Sequence, residues 1–274
     1  MIDKNPELEK FTRYHTQFHG AGIKKYGKTY KQRSHVSLKS AFFKMVDRLS
    51  VVTSIEVGAF QAEFSVEFKS ESPDRYALAV EANPYNFAKF KDALNDAGVI
   101  YHHAAIQDRE GPCELQLHVK DIDIENGYIR GNNSLLSSDA RPDTRALSVP
   151  GSTLDTVVNH YVQSGSMPAP ATAHPVLWID VEGALDRVIK GGTDTISNSL
   201  VLFAEVETER LWNNQATFPE IAAQLKLLGF SPWLRDCEYE PEQFNVMFTN
   251  DKLVNPEILG ELAQQFYDEL QPSG

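Results

Sequence analysis

The segment TSIEVGAFQA, residues Thr53–Ala62, decides the fold, because it is typical of a short buried strand that runs into a glycine turn. A second segment of the same kind, YALAVEANP, follows at Tyr76–Pro84. The residues between them can form one helix, which predicts two parallel strands joined by a right-handed crossover. Glu56 and Glu81 lie near the carboxyl ends of these strands, where open α/β sheets bind their ligands.

The turn after the first strand argues against a dinucleotide. A pyrophosphate site is typically Gly-x-Gly-x-x-Gly, whereas Gly58 is the only glycine in Gly58–Ala62. Two carboxylates instead suit S-adenosylmethionine, which carries an ammonium, a sulfonium and a ribose diol. The residues predicted to bind this cofactor lie at the ends of the first three strands: Glu56, Gly58, Ala59, Phe60, Glu81, Ala82, Asn83, His103 and Ala104.

The remaining hydrophobic runs predict five further strands, at residues 99–106, 175–183, 200–207, 230–239 and 244–250, the last two as an antiparallel hairpin. Strands that alternate with helical segments predict the α/β class with a doubly wound, mostly parallel sheet. Residues 1–50 are predicted to be an N-terminal helical extension or lid, and residues 51–274 one domain. The stretch at about 107–150 is too long for an ordinary connection, which favours a substrate-side insertion.

Composition restricts the functional classes. The 274 residues carry a formal net charge of −12, which disfavours nucleic acid as a partner. No apolar run approaches the roughly 20 residues that span a bilayer. Two cysteines and the absence of an apolar signal segment predict a cytoplasmic protein. One basic segment, Gly22–Lys39, has six cations and no acid; it is either a solvated surface or a lid that recruits an anionic acceptor.

Five motifs in this order resemble the FkbM-like family of S-adenosylmethionine-dependent methyltransferases. The resemblance covers about residues 51–250 and implies the seven-stranded, Rossmann-like methyltransferase sheet, with O-methylation of a hydroxyl, often on a sugar or natural product, as the usual reaction. The motifs that carry it are Ile55–Ala59, Val80–Pro84, His103–Asp108, Thr153–Asp155 and Ile179–Ala184 with Ile189–Gly191.

The chain departs from the family pattern at several of these positions. The first motif usually carries aspartate, asparagine and a later glycine where this chain has Glu56, Phe60 and Ala62. Trp178 replaces the usual lysine of the fourth strand, and Leu185 replaces an acid. Trp178 removes a cation and adds a stacking surface, so these changes bear on the acceptor more than on the cofactor.

Carboxylates near the ends of the fourth and fifth strands are the candidate catalytic residues: Asp180, Glu182 and Glu205. Trp178, Asp180 and Glu182 occupy alternate positions, so their side chains would lie on the same face of the sheet as far as the strand extends. One carboxylate could remove the acceptor's proton as a general base. Alternatively, Asp180 and Glu205 could bind Mg²⁺, which prefers oxygen ligands and would lower the pKa of the hydroxyl.

Three functions fit the sequence. The first is an O-methyltransferase that acts on a hydroxyl of a small acceptor, such as a sugar or glycosylated metabolite. The second is a carboxyl methyltransferase of a peptide or metabolite, which the basic segment would favour. The third is a non-catalytic cofactor-binding module, for which Phe60, Ala62 and Trp178 would be signs of lost chemistry.

Overall fold

The computed structural model describes residues 5–118, 129, 131–139, 143–239 and 241–271. The helices of these residues are α1 (Pro6–Tyr26), α2 (Lys28–Arg48), α3 (Glu63–Ser70), α4 (Pro84–Asp96), α5 (Leu154–Gln163), α6 (Pro170–Ala173), α7 (Leu185–Gly191), α8 (Thr193–Ser197), α9 (Phe218–Leu227) and α10 (Pro256–Leu270). The strands are β1 (Thr53–Val57), β2 (Tyr76–Glu81), β3 (Ile100–His103), β4 (Ala105–Ile106), β5 (Cys113–His118), β6 (Thr144–Val149), β7 (Gly151–Ser152), β8 (Val176–Ile179), β9 (Val201–Glu207), β10 (Phe230–Arg235) and β11 (Gln243–Asn250).

The chain divides into two compact units. The central unit consists of residues 51–199 and 210–216, and the terminal unit of residues 1–50, 200–209 and 217–274. The predicted α/β class with a seven-stranded, mostly parallel sheet is confirmed. Within the central unit the strand order is β8-β1-β2-β3, all parallel, and within the terminal unit it is β9-β11-β10, both pairs antiparallel.

Strands β1 and β2 of the central unit are buried on both faces, which is why they read as continuous hydrophobic runs. All five residues of β1 are buried, and so are the last five of β2. Helix α3 buries Phe64 and Phe68. Helix α4 begins at Pro84 after the N-cap residue Asn83, whose Oδ1 accepts a hydrogen bond from the Tyr85 N–H at 2.9 Å.

The strand predicted over residues 99–106 is two strands. The Ala104 N–H donates to the Glu81 carbonyl at 3.1 Å, whereas the Ala105 N–H donates to the Pro150 carbonyl at 2.8 Å. The backbone therefore changes partners at this point, and β4 pairs with β7 in a separate two-stranded sheet.

The predicted insertion contains the antiparallel pair β5 and β6. Leu115, Leu117 and Val149 of this pair are buried together with Ala105, so the hairpin has a small apolar core of its own. Residues 119–128, 130 and 140–142 of the insertion lie outside the described residues.

Residues 6–48 contain two helices of 21 residues each, α1 and α2. They are separated by Gly27, whose φ of +60° is readily reached only by glycine. Eight residues of α2 are buried, and α2 packs against α10. In the basic segment, the side chains of Arg33 and Lys39 lie over the rings of Tyr30 and Phe43. The role of this region as a lid stays a prediction.

Among the described residues, every helix is too short or too polar to cross a membrane.

Candidate functional site

Glu81, the last residue of β2, has a buried carboxylate that is 6% exposed. Its Oε2 accepts a hydrogen bond from the Phe60 N–H at 2.7 Å. Its Oε1 accepts from the Asn83 N–H at 2.6 Å and from Asn86 Nδ2 at 3.2 Å. Burial raises the pKa of Glu81 from its usual 4.5 to about 7, although the N–H groups of Asn83, Phe60 and Ala82 and the Asn86 amide favour the charged form.

Gly58 allows the chain to turn immediately after β1. Its φ is +79°, and its N–H donates to the Val80 carbonyl at 3.0 Å. A Cβ at this position would lie 1.8 Å from the Asp180 carbonyl oxygen, which is an impossible contact. The glycine is therefore required by the close approach of the segment after β8, independently of any ligand.

Glu56 lies inside β1, one residue before its end. The side chain is 6% exposed, and Oε2 accepts a hydrogen bond from the Ser65 N–H at 2.8 Å. Ser65 is in the first turn of α3, where backbone N–H groups have no partner within the helix. Glu56 thus supports the N-terminus of α3, which accounts for an acid at this position.

A cavity of about 50 Å³ lies at the carboxyl ends of β1 and β2, and it is bordered by both the predicted cofactor residues and the insertion. Of the predicted cofactor residues, those that line it are Gly58, Glu81, Ala82 and Ala104. The other lining residues include Asn133 and Leu135 of the insertion and Asp180 after β8. Glu56, Ala59, Phe60, Asn83 and His103 do not border this cavity.

The remaining predicted cofactor residues shape the site through other contacts. The Ala59 N–H donates to the Val80 carbonyl at 3.0 Å, and the Phe60 carbonyl accepts a hydrogen bond from the Tyr101 hydroxyl. His103 Nε2 lies 3.2 Å from the Ala82 carbonyl oxygen, and burial lowers the pKa of this imidazole. His103 is therefore a neutral ring at physiological pH. Its contact with a cofactor stays a prediction.

Asp180 follows β8 directly, because the strand ends at Ile179 rather than at residue 183. The Asp180 N–H donates to the Val57 carbonyl at 2.9 Å, and the residue is exposed. The alternation of side chains therefore stops before Asp180. Trp178 stacks on Phe64 of α3 with ring centroids 5.1 Å apart, whereas Asp180 borders the cavity.

Glu182 and Glu205 have different local environments. Glu182 has a φ of +34° in the turn after β8, and its carbonyl accepts a hydrogen bond from the Ser134 hydroxyl at 2.6 Å. Glu205 lies on β9 in the terminal unit, opposite Asn245 of β11. The catalytic roles of the three acids, and the binding of Mg²⁺ by Asp180 and Glu205, stay predictions.

Sequence reasoning did not single out the residues that fix the insertion beside this site. The Ser134 hydroxyl links the insertion to the turn at Glu182, and the Asn213 N–H donates to the Ser137 carbonyl at 2.8 Å. Trp212 is 2% exposed and packs on Gly183, where a Cβ would lie 2.4 Å from the indole. The only signal in the sequence was Trp212 itself, an isolated large aromatic residue between a strand and a helix.

Comparison with known proteins decides the family. The model of the methyltransferase FkbM domain matches residues 56–239, more than half of the chain. The chain belongs to the FkbM methyltransferase family. It is a methyltransferase that uses S-adenosylmethionine as the methyl donor, as the resemblance implied. A search of curated proteins finds no match.

Two of the solved structures similar to this FkbM-family methyltransferase are themselves methyltransferases, and both have low sequence identity to it. Magnesium protoporphyrin IX methyltransferase from Synechocystis PCC 6803, with bound S-adenosylmethionine, is 6% identical, with 79% of each chain covered and a TM-score of 0.44. An S-adenosylmethionine-dependent methyltransferase from Aquifex aeolicus is 9% identical, with 76% of this chain and 88% of that chain covered and a TM-score of 0.37.

The structure explains several of the positions that mark the FkbM family. Phe60 and Ala62, which replace the usual asparagine and glycine, have φ values of +48° and +53°. Asparagine and glycine adopt this left-handed conformation more easily than other residues do. Gly191 lies against Gln107, because a Cβ there would be 2.0 Å from the Gln107 carbonyl oxygen. Asp155 accepts hydrogen bonds from two N–H groups at the start of α8. The residues at these motif positions are therefore constrained by the local backbone, through its left-handed conformation, its close packing or its hydrogen bonds.

Proposed function

We propose that this FkbM-family methyltransferase transfers the methyl group to a hydroxyl of a small acceptor, such as a sugar or a glycosylated metabolite. The observation that supports the proposal is the position of Asp180. This exposed carboxylate borders the same cavity as Glu81 and Gly58, at the carboxyl ends of parallel strands. A carboxylate there is accessible to an acceptor and close to the predicted cofactor residues.

The chemistry requires a base because a hydroxyl is a weak nucleophile at neutral pH. S-adenosylmethionine supplies a methyl group on a positively charged sulfur. As the acceptor oxygen bonds to the methyl carbon and the carbon–sulfur bond breaks, the hydroxyl proton moves to the Asp180 carboxylate. A positioned base of this kind typically contributes about 10²–10⁴ to the rate.

Glu81 is the residue best suited to bind the cofactor. It borders the cavity, and its carboxylate is held in place by the N–H groups of Phe60 and Asn83 and by the Asn86 amide. A ribose hydroxyl or an ammonium of the cofactor could donate a hydrogen bond to this carboxylate. The cavity of about 50 Å³ is smaller than the whole cofactor, so we expect Asn133 and Leu135 to move apart from the strand ends on binding.

The test is Asp180→Asn, assayed for methyl transfer to a panel of sugars and to a matched panel of carboxylic acids. Asparagine keeps the size of the side chain and removes its charge. On a hydroxyl acceptor, turnover should fall by about 10²–10⁴ while cofactor affinity changes little. The matched control is Asp186→Asn on α7, whose carboxylate pairs with Lys190 at 2.8 Å and lies outside the cavity lining. This control should keep nearly the parental turnover.

The same experiment separates the alternatives. A carboxylate acceptor is already ionised and needs no base, so Asp180→Asn would leave its methylation intact. A protein that binds the cofactor and methylates no acceptor would be a non-catalytic module. Inactivation by a chelator, reversed by Mg²⁺, would make Asp180 a metal ligand rather than a base. Parental turnover of Asp180→Asn on a hydroxyl acceptor would rule out both roles.

A further inference from the structure

The terminal unit contains a second and larger cavity, about 620 Å³ in volume. It is lined by residues of α1, α9, β10 and α10, all within that unit. Its volume lies in the range of about 300–1,000 Å³ that is typical of small-molecule pockets. It shares no residue with the cavity at Glu81.

Aromatic rings form much of the lining of this terminal pocket. Phe11 and Tyr14 of α1, Trp233 of β10 and Tyr267 of α10 all border it. The rings of Tyr14 and Tyr267 are 5.4 Å apart, edge to face, and Tyr14 is 49% exposed. Such rings offer a large apolar contact surface to a flat ligand.

The deepest titratable group of the terminal pocket is uncharged. His15 is 1% exposed, and its Nε2 lies 3.2 Å from the Tyr267 hydroxyl. Burial, together with the nearby His19 and Arg235, lowers the pKa of His15 well below 6.5. The buried part of the pocket therefore carries no charge at His15.

The charges at the rim of the terminal pocket are mostly positive. Lys226 pairs with Asp251 at 3.0 Å and with Glu7 at 3.6 Å, so Glu7 and Lys226 offset each other. Lys10 and Arg13 are exposed and form no hydrogen bond or ion pair with any other residue of the described part of the chain. They lie three positions apart on α1 and therefore on one face of the helix.

We propose that the terminal pocket binds a small organic anion with an aromatic body, such as an aromatic carboxylate, sulfonate or phosphate ester. The aromatic body packs against Trp233 and Tyr14, and the anionic group pairs with Lys10 and Arg13. A guanidinium donates two parallel hydrogen bonds to such a group, which fixes its orientation. The formal net charge of the chain is −12, so two neighbouring cations that have no acidic partner within the described residues mark this pocket as a site for an anion.

The experiment uses the full chain and two fluorescent probes that differ by one charged group. The anionic probe is 8-anilino-1-naphthalenesulfonate, and its neutral counterpart is N-phenyl-1-naphthylamine. Saturating S-adenosylhomocysteine is present throughout, so that neither probe binds at the cofactor site. Energy transfer from tryptophan reports the location, because Trp233 borders the terminal pocket.

The test variant is the double substitution Lys10→Gln/Arg13→Gln, and the matched control is Lys24→Gln/Lys28→Gln, which removes the same charge from exposed positions outside the pocket. We expect the test variant to weaken binding of the sulfonate by about tenfold, equal to roughly 1.4 kcal/mol, and binding of the neutral probe by less than twofold. The control should bind both probes like the parent. In Trp233→Phe, energy transfer to the bound sulfonate should drop.

A measurement on the parent protein provides a second test that needs no variant. Raising the salt concentration should weaken sulfonate binding and leave the neutral probe unaffected, because exposed charge pairs are screened. Equal affinity for the two probes, or equal sulfonate affinity in the parent and the Lys10→Gln/Arg13→Gln variant, would overturn the proposal. Undiminished energy transfer in Trp233→Phe would overturn the placement of the anion in this pocket.

Discussion

Glu56 and Glu81 look equivalent in the sequence, yet the structure gives them different tasks. Each is 6% exposed and each lies near the carboxyl end of a parallel strand. Glu56 precedes the last residue of β1 and binds the N-terminus of α3, whereas Glu81 is the last residue of β2 and borders the cavity. A single position along a strand therefore separates an acid that supports a helix from an acid that can meet a ligand.

The difference follows from the alternation of side chains and from what lies beyond each strand. A residue inside a strand points to one face of the sheet, where a helix covers it. A residue at the strand end can point past the sheet. The carboxylate of Glu81 is bound by the N–H groups of Phe60 and Asn83, which belong to the turns after β1 and β2.

The largest effect should come from Glu81→Gln. It should weaken S-adenosylmethionine binding by about 10- to 100-fold, since a hydrogen bond to a charged group is worth roughly 1.5–3 kcal/mol. Isothermal titration calorimetry measures this affinity. Glu56→Gln is the matched control and should bind the cofactor within about threefold of the parent. An equal loss of cofactor affinity in the two variants would contradict different roles for Glu56 and Glu81.

The pH dependence of binding should sharpen the same comparison. The raised pKa of Glu81, about 7, means that the free protein holds a proton there at mildly acidic pH. A cofactor that donates to the carboxylate must displace this proton, so affinity should fall by about tenfold for each pH unit below 7. Calorimetry in buffers of different ionisation enthalpy should detect proton release. Glu81→Gln should lack this dependence; a parent with constant affinity from pH 6 to 8 would contradict the assignment.

Through the same carboxyl group, a rise in pH should lower the stability of the folded protein while it raises cofactor affinity. The folded-state pKa of this group is raised, so its contribution to stability is fully present below the unfolded pKa near 4.5 and is lost as pH rises through about 7. The free energy of unfolding without cofactor should therefore decrease over this range relative to Glu81→Gln. Cofactor affinity should increase over the same pH range. The two measurements, affinity and the free energy of unfolding, therefore change with opposite signs and can be told apart.

The smallest effect should come from Glu56→Gln on stability. Glutamine can still accept the hydrogen bond from the Ser65 N–H but lacks the charge that interacts with the N-terminus of α3. The free energy of unfolding should fall by about 1 kcal/mol, measured by urea denaturation without cofactor. Glu67→Gln, an exposed position within α3, should change it by less than about 0.5 kcal/mol. A loss as large in Glu67→Gln would show that the helix terminus is not the cause.

The sequence by itself determined the class of fold and the positions of the seven strands of the main sheet, because buried parallel strands are continuous hydrophobic runs. It also marked helix starts, as at Asn83 and Pro84, since capping depends on residues that are adjacent in the chain. The motifs that identified the FkbM family are local for the same reason.

Only the tertiary structure decided which of the predicted site residues border the cavity. Asp180 borders the cavity because β8 ends at Ile179. The alternation of side chains along the strand therefore does not extend to residue 180 and could not predict where its side chain lies. The need for glycine at position 58 comes from the Asp180 carbonyl, more than a hundred residues away in the chain. The raised pKa of Glu81 comes from burial by several elements. Such effects depend on atoms brought together from distant parts of the chain, so the spacing of residues in the sequence cannot predict them.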